Sequence, residues 1–130
     1  MIVLDASVAL DALLSPKGMD SIASHELAAP PIMWSEVTAA LREAVWRRLL
    51  TRQSGLEGLA RLETAPIKRS SPEGLQREAW LIAEQLGWAR TYDAEYVALA
   101  KLTNSLLLTR DARLKRAAGD LVEVVDPTQI

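Results

Sequence analysis

Short, wholly apolar runs alternate along this chain with longer segments of helical periodicity, and no other feature constrains the fold as strongly. The runs IVL at residues 2–4 and LLL at residues 106–108 contain no polar side chain. Such runs are typical of strands that are buried on both faces of a parallel sheet, whereas half-exposed strands alternate polar and apolar residues. The pattern therefore predicts an α/β fold in which helices cover both faces of a parallel sheet.

Turn signals and hydrophobic periodicity divide the chain into five predicted strands and seven helical segments. The strands lie within IVLD (2–5), ELAAPPI (26–32), PIKR (66–69), SLLLT (105–109) and LVEVV (121–125). The helical segments cover residues 6–14, 20–25, 33–53, 55–65, 72–87, 92–103 and 112–119. Pro72 and Gly87 bound the fifth helix, because proline suits the first turn and glycine favours termination. Thr91 is the expected cap of the next helix.

The size and composition of the chain fit one globular domain. With 130 residues, 49% of them apolar, it holds a proper core, and we expect a single domain over residues 1–130. The absence of cysteine excludes a disulfide framework and a thiolate metal site. No segment reaches the roughly 18 uncharged apolar residues of a membrane span, and Asp5 interrupts the apolar start that a signal peptide needs. We expect a cytoplasmic protein with no membrane partner.

Four acidic residues follow predicted strands or open predicted helices: Asp5, Glu36, Asp93 and Asp111. Because ligands of open parallel sheets bind beyond the carboxyl ends of the strands, we expect all four at one rim. Each acid alone has a simpler explanation, since a carboxylate stabilises a helix N-terminus. Together they repel, by roughly 3 kcal/mol for two unit charges about 5 Å apart at an effective dielectric of 20. Their convergence would therefore require a cation.

Oxygen ligands without histidine or cysteine favour a hard ion, Mg²⁺ or Mn²⁺. Such ions activate water and stabilise the leaving oxygen of an in-line displacement, which is the chemistry of phosphodiester hydrolysis. Ser7 and Thr109 each lie two residues from an aspartate and are accessory candidates that orient a water or a carboxylate. Local turn and cap hydrogen bonds explain these two hydroxyls equally well.

Three blocks between residues 2 and 114 read IVLDASVAL, PIMWSEVTAAL and TYDAEYVALAKLTNSLLLTRDARL. They resemble the PIN-domain ribonucleases, and more narrowly the VapC-type toxins of bacterial and archaeal toxin–antitoxin pairs. In this resemblance the family's acids correspond to Asp5, Glu36, Asp93 and Asp111, and its accessory hydroxyls to Ser7 and Thr109. Some relatives carry a further acid where this chain has Ala112 and Arg113. One or two bound ions are both compatible with the remaining acids.

The resemblance implies a three-layer α/β/α sandwich with a short central parallel sheet and an active site that holds Mg²⁺ or Mn²⁺. It implies endonucleolytic hydrolysis of RNA, for which we expect products with a 5′-phosphate and a 3′-hydroxyl. It further implies a homodimer, and inhibition by a small cognate antitoxin whose C-terminal segment covers the active site. A catalytically silent PIN scaffold that only binds RNA or an antitoxin is the alternative.

Basic and aromatic residues beyond the acids are candidates for substrate contacts. Arg110 and Arg113 flank Asp111 and are expected to contact phosphates, so cleavage should fall at high salt. The four tryptophans can stack on bases but are more often core or interface residues. Tyr92 and Tyr96 lie one helical turn apart, with one expected at the rim and the other in the core or against a dimer mate.

Two rival enzymes also place an aspartate after the first strand. An aspartyl phosphotransferase usually has a second acid two residues later and a lysine near the last strands. Here position 7 is serine, and no lysine ends a predicted strand in that way. A receiver-type phospho-switch is disfavoured because the middle of the chain has no clear strand that ends in aspartate.

Overall fold

A computed structural model describes the whole chain, Met1–Ile130, as strands that alternate with helices. The strands are β1 (Ile2–Leu4), β2 (Leu27–Ala29), β3 (Ile67–Arg69), β4 (Leu106–Leu108) and β5 (Val124–Val125). The helices are α1 (Ala6–Leu13), α2 (Ile32–Trp46), α3 (Arg52–Thr64), α4 (Leu75–Leu86), α5 (Tyr92–Thr103) and α6 (Ala112–Ala118). A short 3₁₀ turn, Pro127–Gln129, follows the last strand. All five predicted strands are confirmed, each shorter than the segment predicted for it.

The five strands form one sheet in the order β3-β2-β1-β4-β5, and every neighbouring pair is parallel. The chain builds β1, β2 and β3 towards one edge, then crosses over to add β4 on the other side of β1. The strand order therefore reverses direction between β1 and β4. Open α/β sheets bind ligands at such a switch point, beyond the carboxyl ends of the two strands.

Parallel neighbouring strands need crossover connections, and here these place helices on both faces of the sheet. The helices α1, α2 and α3 pack against one another, while α4 packs on α5 and α5 lies against β1 and β4. The central strands are sealed by this arrangement, since Val3, Leu107 and Leu108 are completely buried. The predicted three-layer α/β/α sandwich is confirmed. None of its helices is both long enough and apolar enough to cross a lipid bilayer.

The prediction of one helix over residues 33–53 was wrong. Helix α2 ends at Trp46, and Arg48 adopts a left-handed backbone conformation with φ of 62°. Helix α3 then starts with its own cap, because the Thr51 hydroxyl accepts a hydrogen bond from the Ser54 amide at 3.1 Å. Leu49 continued the apolar periodicity of α2 but is 74% exposed in the structure.

Three smaller predictions also need correction. Residues 20–25 form hydrogen-bonded turns rather than a helix. Helix α4 begins at Leu75 and not at Pro72, since Gly74 interposes a left-handed residue with φ of 84°. Thr91 does precede α5, but its side chain makes no capping hydrogen bond. The stop at Gly87 is confirmed, with φ of 72°.

Two glycines explain how α3 packs against α2 despite the low helix propensity of glycine. A methyl group at Gly55 would lie 2.5 Å from a methyl carbon of Val45. One at Gly58 would lie 3.1 Å from Leu41. The glycines thus cost local helix stability but permit the close approach of the two helices.

Candidate active site

Asp5 is the buried centre of the site. It follows β1 in the middle of the sheet and is only 6% exposed. Its Oδ1 accepts hydrogen bonds from the Ser7 hydroxyl at 2.6 Å and the Val8 amide at 3.1 Å. Its Oδ2 accepts a hydrogen bond from the Thr109 hydroxyl, which follows β4. The Val8 contact makes Asp5 the cap of α1, so capping and a functional role coexist at this residue.

Both hydroxyls on Asp5 are themselves oriented by the backbone after β4. The Arg110 amide donates to the Ser7 oxygen at 3.3 Å, and the Asp111 amide donates to the Thr109 oxygen at 3.0 Å. We call Ser7 and Thr109, with these two amides, the Asp5 clamp. Each hydroxyl accepts from an amide and donates to the carboxylate, so both protons point at Asp5. The two hydroxyls that the sequence nominated as accessory groups therefore act directly on this aspartate.

Glu36 lies in α2, one turn from its start, and is held by a tyrosine from α5. The Tyr96 hydroxyl donates to Glu36 Oε1 at 2.5 Å, and Tyr96 is only 1% exposed. Burial raises the pKa of Glu36, the Tyr96 hydrogen bond opposes that rise, and the charges of Asp93 and Asp5 add to it. The tyrosine predicted to face the core or a dimer mate is thus in the core and also fixes a site carboxylate.

Asp93 and Asp111 present the less restrained carboxylates. Asp111 caps α6, since its Oδ1 accepts from the Arg113 amide at 2.9 Å and the Leu114 amide at 3.3 Å. Asp93 lies in the first turn of α5 and makes no side-chain hydrogen bond or ion pair with any residue of the chain. Desolvation and the charge of Asp111 raise the pKa of Asp93, and the Arg113 guanidinium lowers it.

The four acids form one electrostatic group at the rim. The pKa of Asp5 is raised by burial, despite three hydrogen bonds that lower it, and further by the charge of Asp93. No three acidic or histidine side chains are arranged to hold a metal ion by themselves. A hard divalent cation does not require such a cluster, since it can keep several waters and take one or two carboxylates plus substrate phosphates. The oxygen-only donor set, its mutual repulsion and the unpartnered Asp93 all fit a divalent cation.

Glu95 is a fifth acid beside the site that the sequence analysis did not single out. It is 9% exposed, and its carboxylate accepts a hydrogen bond from Gln76 Nε2 at 3.3 Å. Desolvation and the charge of Glu36 raise the pKa of Glu95. Its position two residues after Asp93 does not indicate a shared site, because residues two apart on a helix usually face different directions.

The two arginines that flank Asp111 differ in their surroundings. The Arg110 guanidinium pairs with Asp11 at 2.7 Å in an exposed ion pair. The Arg113 guanidinium has no partner in the chain and lies close enough to Asp93 to lower its pKa. A cavity of about 450 Å³ opens beside these groups and is lined by Glu36, Trp88, Arg90, Tyr92, Asp93 and Arg113, among others.

Comparison with known proteins identifies the family behind this geometry. The PIN domain model matches residues 2–120. The chain belongs to the PIN-domain family. Its similar members include Ribonuclease VapC9 of Mycobacterium tuberculosis, which is 37% identical over 115 residues that make up 88% of each chain. The predicted resemblance to PIN domains of the VapC type is confirmed.

Two solved structures support the PIN fold. PAE2754 from Pyrobaculum aerophilum superposes with a TM-score of 0.75 at 23% identity, over 98% of this chain and 91% of that one. VapBC2 from Rickettsia felis, solved bound to a DNA fragment from its promoter, gives a TM-score of 0.68 at 14% identity over 97% and 98% of the two chains. At these identities the likeness concerns the PIN fold alone.

Proposed function

We propose that this chain is a divalent-metal-dependent endoribonuclease that hydrolyses RNA phosphodiester bonds and is the toxin of a toxin–antitoxin pair. The observation that carries the proposal is the set of acids at the switch point between β1 and β4, where Asp93 has no donor within the chain. Neighbouring carboxylate charges raise the pKa values of Asp5, Glu36 and Asp93, which costs stability, and an ion that binds phosphate explains why they are kept together. PIN relatives named as ribonucleases support RNA as the substrate.

Asp5, Glu36, Asp93 and Asp111 are the residues that would hold the ion, which we propose is Mg²⁺ or Mn²⁺. When bound, such an ion lowers the pKa of water and stabilises charge on phosphate oxygens. The four carboxylates differ in how firmly the chain holds them. The Asp5 clamp and Tyr96 fix two carboxylates in place, while Asp93 and the free oxygen of Asp111 remain available.

Phosphate positioning falls to the basic residues at the rim. Arg113 has a free guanidinium beside Asp93 and is suited to hold a phosphate of the substrate backbone. Arg110 must first leave Asp11, which costs little because exposed ion pairs contribute about 0–1 kcal/mol. We therefore assign the main phosphate contact to Arg113 and a secondary one to Arg110.

The partners follow from the same assignment. A cognate small antitoxin would inhibit the enzyme, and we propose a homodimer for the toxin itself. We place the activity in the cytoplasm, where its proposed RNA substrate is used. Hydrolysis by an activated water leaves a 5′-phosphate and a 3′-hydroxyl. A 2′,3′-cyclic phosphate would instead mean that the ribose 2′-hydroxyl was the nucleophile, and would contradict the proposed route.

The second candidate function is a silent PIN scaffold that binds RNA or an antitoxin without cleaving. The two functions separate in one experiment. Purified protein is incubated with total RNA, with and without Mg²⁺ or Mn²⁺, beside Asp93→Asn and the matched control Asp120→Asn, and new 5′ ends are mapped. Asp120 is exposed and lies outside the group of coupled acids.

Discrete cuts that need metal, persist in Asp120→Asn and vanish in Asp93→Asn are the expected result. Intact RNA in every sample, from protein that binds neither ion by calorimetry, would transfer the assignment to the silent scaffold. Cuts that survive the Asp93 substitution would point to a contaminating nuclease.

A further inference from the structure

The cavity beside the acids has a chemistry that hydrolysis alone does not require. Two of its lining residues, Glu36 and Asp93, belong to the acid group. The rest of its lining includes two aromatic rings and two cations, Trp88, Tyr92, Arg90 and Arg113. Its volume of about 450 Å³ falls within the range of small-ligand pockets. We call these four residues, with the volume they border, the aromatic cavity.

The fold positions the two aromatic rings but leaves part of each ring exposed. Tyr92 opens α5 with 52% of its surface exposed, and its hydroxyl makes no hydrogen bond within the chain. Trp88 follows the left-handed stop of α4 at Gly87 and packs one side against the core, while remaining partly exposed. Aromatic faces in this setting are surfaces on which an unpaired base can stack.

The two cations also have no partner within the chain. Neither the Arg90 nor the Arg113 guanidinium takes part in an ion pair or a hydrogen bond within the chain. An arginine without a partner, beside carboxylates that would hold an ion, faces a site that must accept a phosphate backbone. Free guanidinium groups also stack on bases and rings. The rings suit the base of a nucleotide, and the cations suit its phosphate.

Resting on the proposed function, we propose that the aromatic cavity is a nucleotide subsite that holds the unpaired base next to the scissile phosphate. The base stacks on Tyr92 and Trp88, and its phosphate lies against Arg113 and Arg90. A base in a duplex is stacked and paired, so it has no free face to offer the cavity. The aromatic cavity therefore selects an unpaired base, with little preference for base identity because stacking reads faces and not edges.

The test compares the binding of two RNAs by fluorescence anisotropy in EDTA, where no cleavage occurs. One is a labelled single-stranded oligoribonucleotide of mixed sequence, and the other is the same strand in a perfect duplex. The protein variants are Tyr92→Ala, Tyr92→Leu and Tyr92→Phe, with Trp46→Ala as control. Trp46 is 74% exposed on α2 and does not line the cavity. Because Tyr92 is largely exposed, all variants should fold, which circular dichroism verifies.

We expect the Ala and Leu variants to lose roughly five- to hundredfold in affinity for the single strand, the usual effect of removing one stacking ring. The Phe variant, which keeps the ring, should bind as the wild type does, and so should the control. Duplex affinity should not change, because phosphate contacts dominate it.

Three outcomes would overturn the subsite: a Leu variant that binds like the wild type, an equal loss for duplex and single strand, or wild-type protein that binds neither RNA. The failure of the nuclease assignment looks different. Ring-dependent binding without cleavage under any divalent ion would leave the subsite standing and refute the enzyme. Cleavage with a KM that is unchanged in Tyr92→Ala would refute the subsite and leave the nuclease assignment standing.

Discussion

The hydrogen bond from Tyr96 to Glu36 offers the sharpest test of how the site is held. The Tyr96→Phe substitution removes one oxygen from a side chain that is 1% exposed and leaves the ring in its packing. The lost bond spans 2.5 Å and ends on a carboxylate. Hydrogen bonds to charged groups contribute about 1.5–3 kcal/mol, and the partial exposure of Glu36 places this one near the lower limit.

The loss should appear as a pH effect and not as a uniform defect. The Tyr96 hydroxyl lowers the pKa of Glu36 against the desolvation that raises it, so its removal moves that pKa further up. A protonated Glu36 cannot bind a cation. About 1.4 kcal/mol corresponds to a tenfold change, so Mn²⁺ affinity should fall by up to about tenfold at acidic pH and should return towards the wild-type value as the pH rises.

Isothermal titration of Mn²⁺ at several pH values measures this directly, and the pH profile of RNA cleavage provides a second readout. Tyr92→Phe is the matched control, since it makes the same chemical change four residues earlier on a hydroxyl without a partner. A loss of affinity that is the same at pH 6 and pH 9 would refute the reasoning, and so would an equal effect in the control.

Further predictions concern the other carboxylates. Asp93→Asn should abolish cleavage. It should also raise the melting temperature in EDTA by a few degrees, worth up to about 1 kcal/mol, because it removes an unpartnered charge that is repelled by Asp111. A lower melting temperature would contradict this. Thr109→Val keeps the shape but deletes the donor to buried Asp5, so urea denaturation should show a loss of about 1.5–3 kcal/mol. The acids with raised pKa values bind protons more tightly in the folded state than in the unfolded state. Without divalent ions, the stability that they contribute is therefore greatest below their ordinary pKa values near 4. It is lost as the pH rises through their pKa values in the folded state. Melting curves from pH 4 to 8 should show this fall, and Mn²⁺ should reverse most of it at the upper end.

The sheet was predictable because burial on both faces leaves a plain mark on the sequence. The runs IVL and LLL contain no polar side chain, which favours strands that are buried on both faces of a parallel sheet. The break after Trp46 was harder to predict, since Leu49 preserved the apolar period while the backbone at Arg48 turned left-handed. Local capping by Thr51 decided that boundary, and periodicity does not register it.

The four acids were nominated because each stands at a strand end or a helix start, and the topology then brought them to one rim. Their partners were harder to see. Nothing in the sequence said that Tyr96 would reach Glu36, sixty positions away, or that Glu95 would be buried beside them. Such contacts depend on how α2 and α5 meet across the sheet, which is a property of the packed molecule.

The Asp5 clamp has a consequence during synthesis of the protein on the ribosome. It joins residues 104 positions apart, and Thr109 directly follows β4, the next-to-last strand to leave the ribosome. A nascent chain that ends before Thr109 carries Asp5 and Glu36 but has no complete site. The polypeptide therefore has no clamped Asp5 until synthesis is nearly finished, and a chain truncated before Thr109 lacks the clamp.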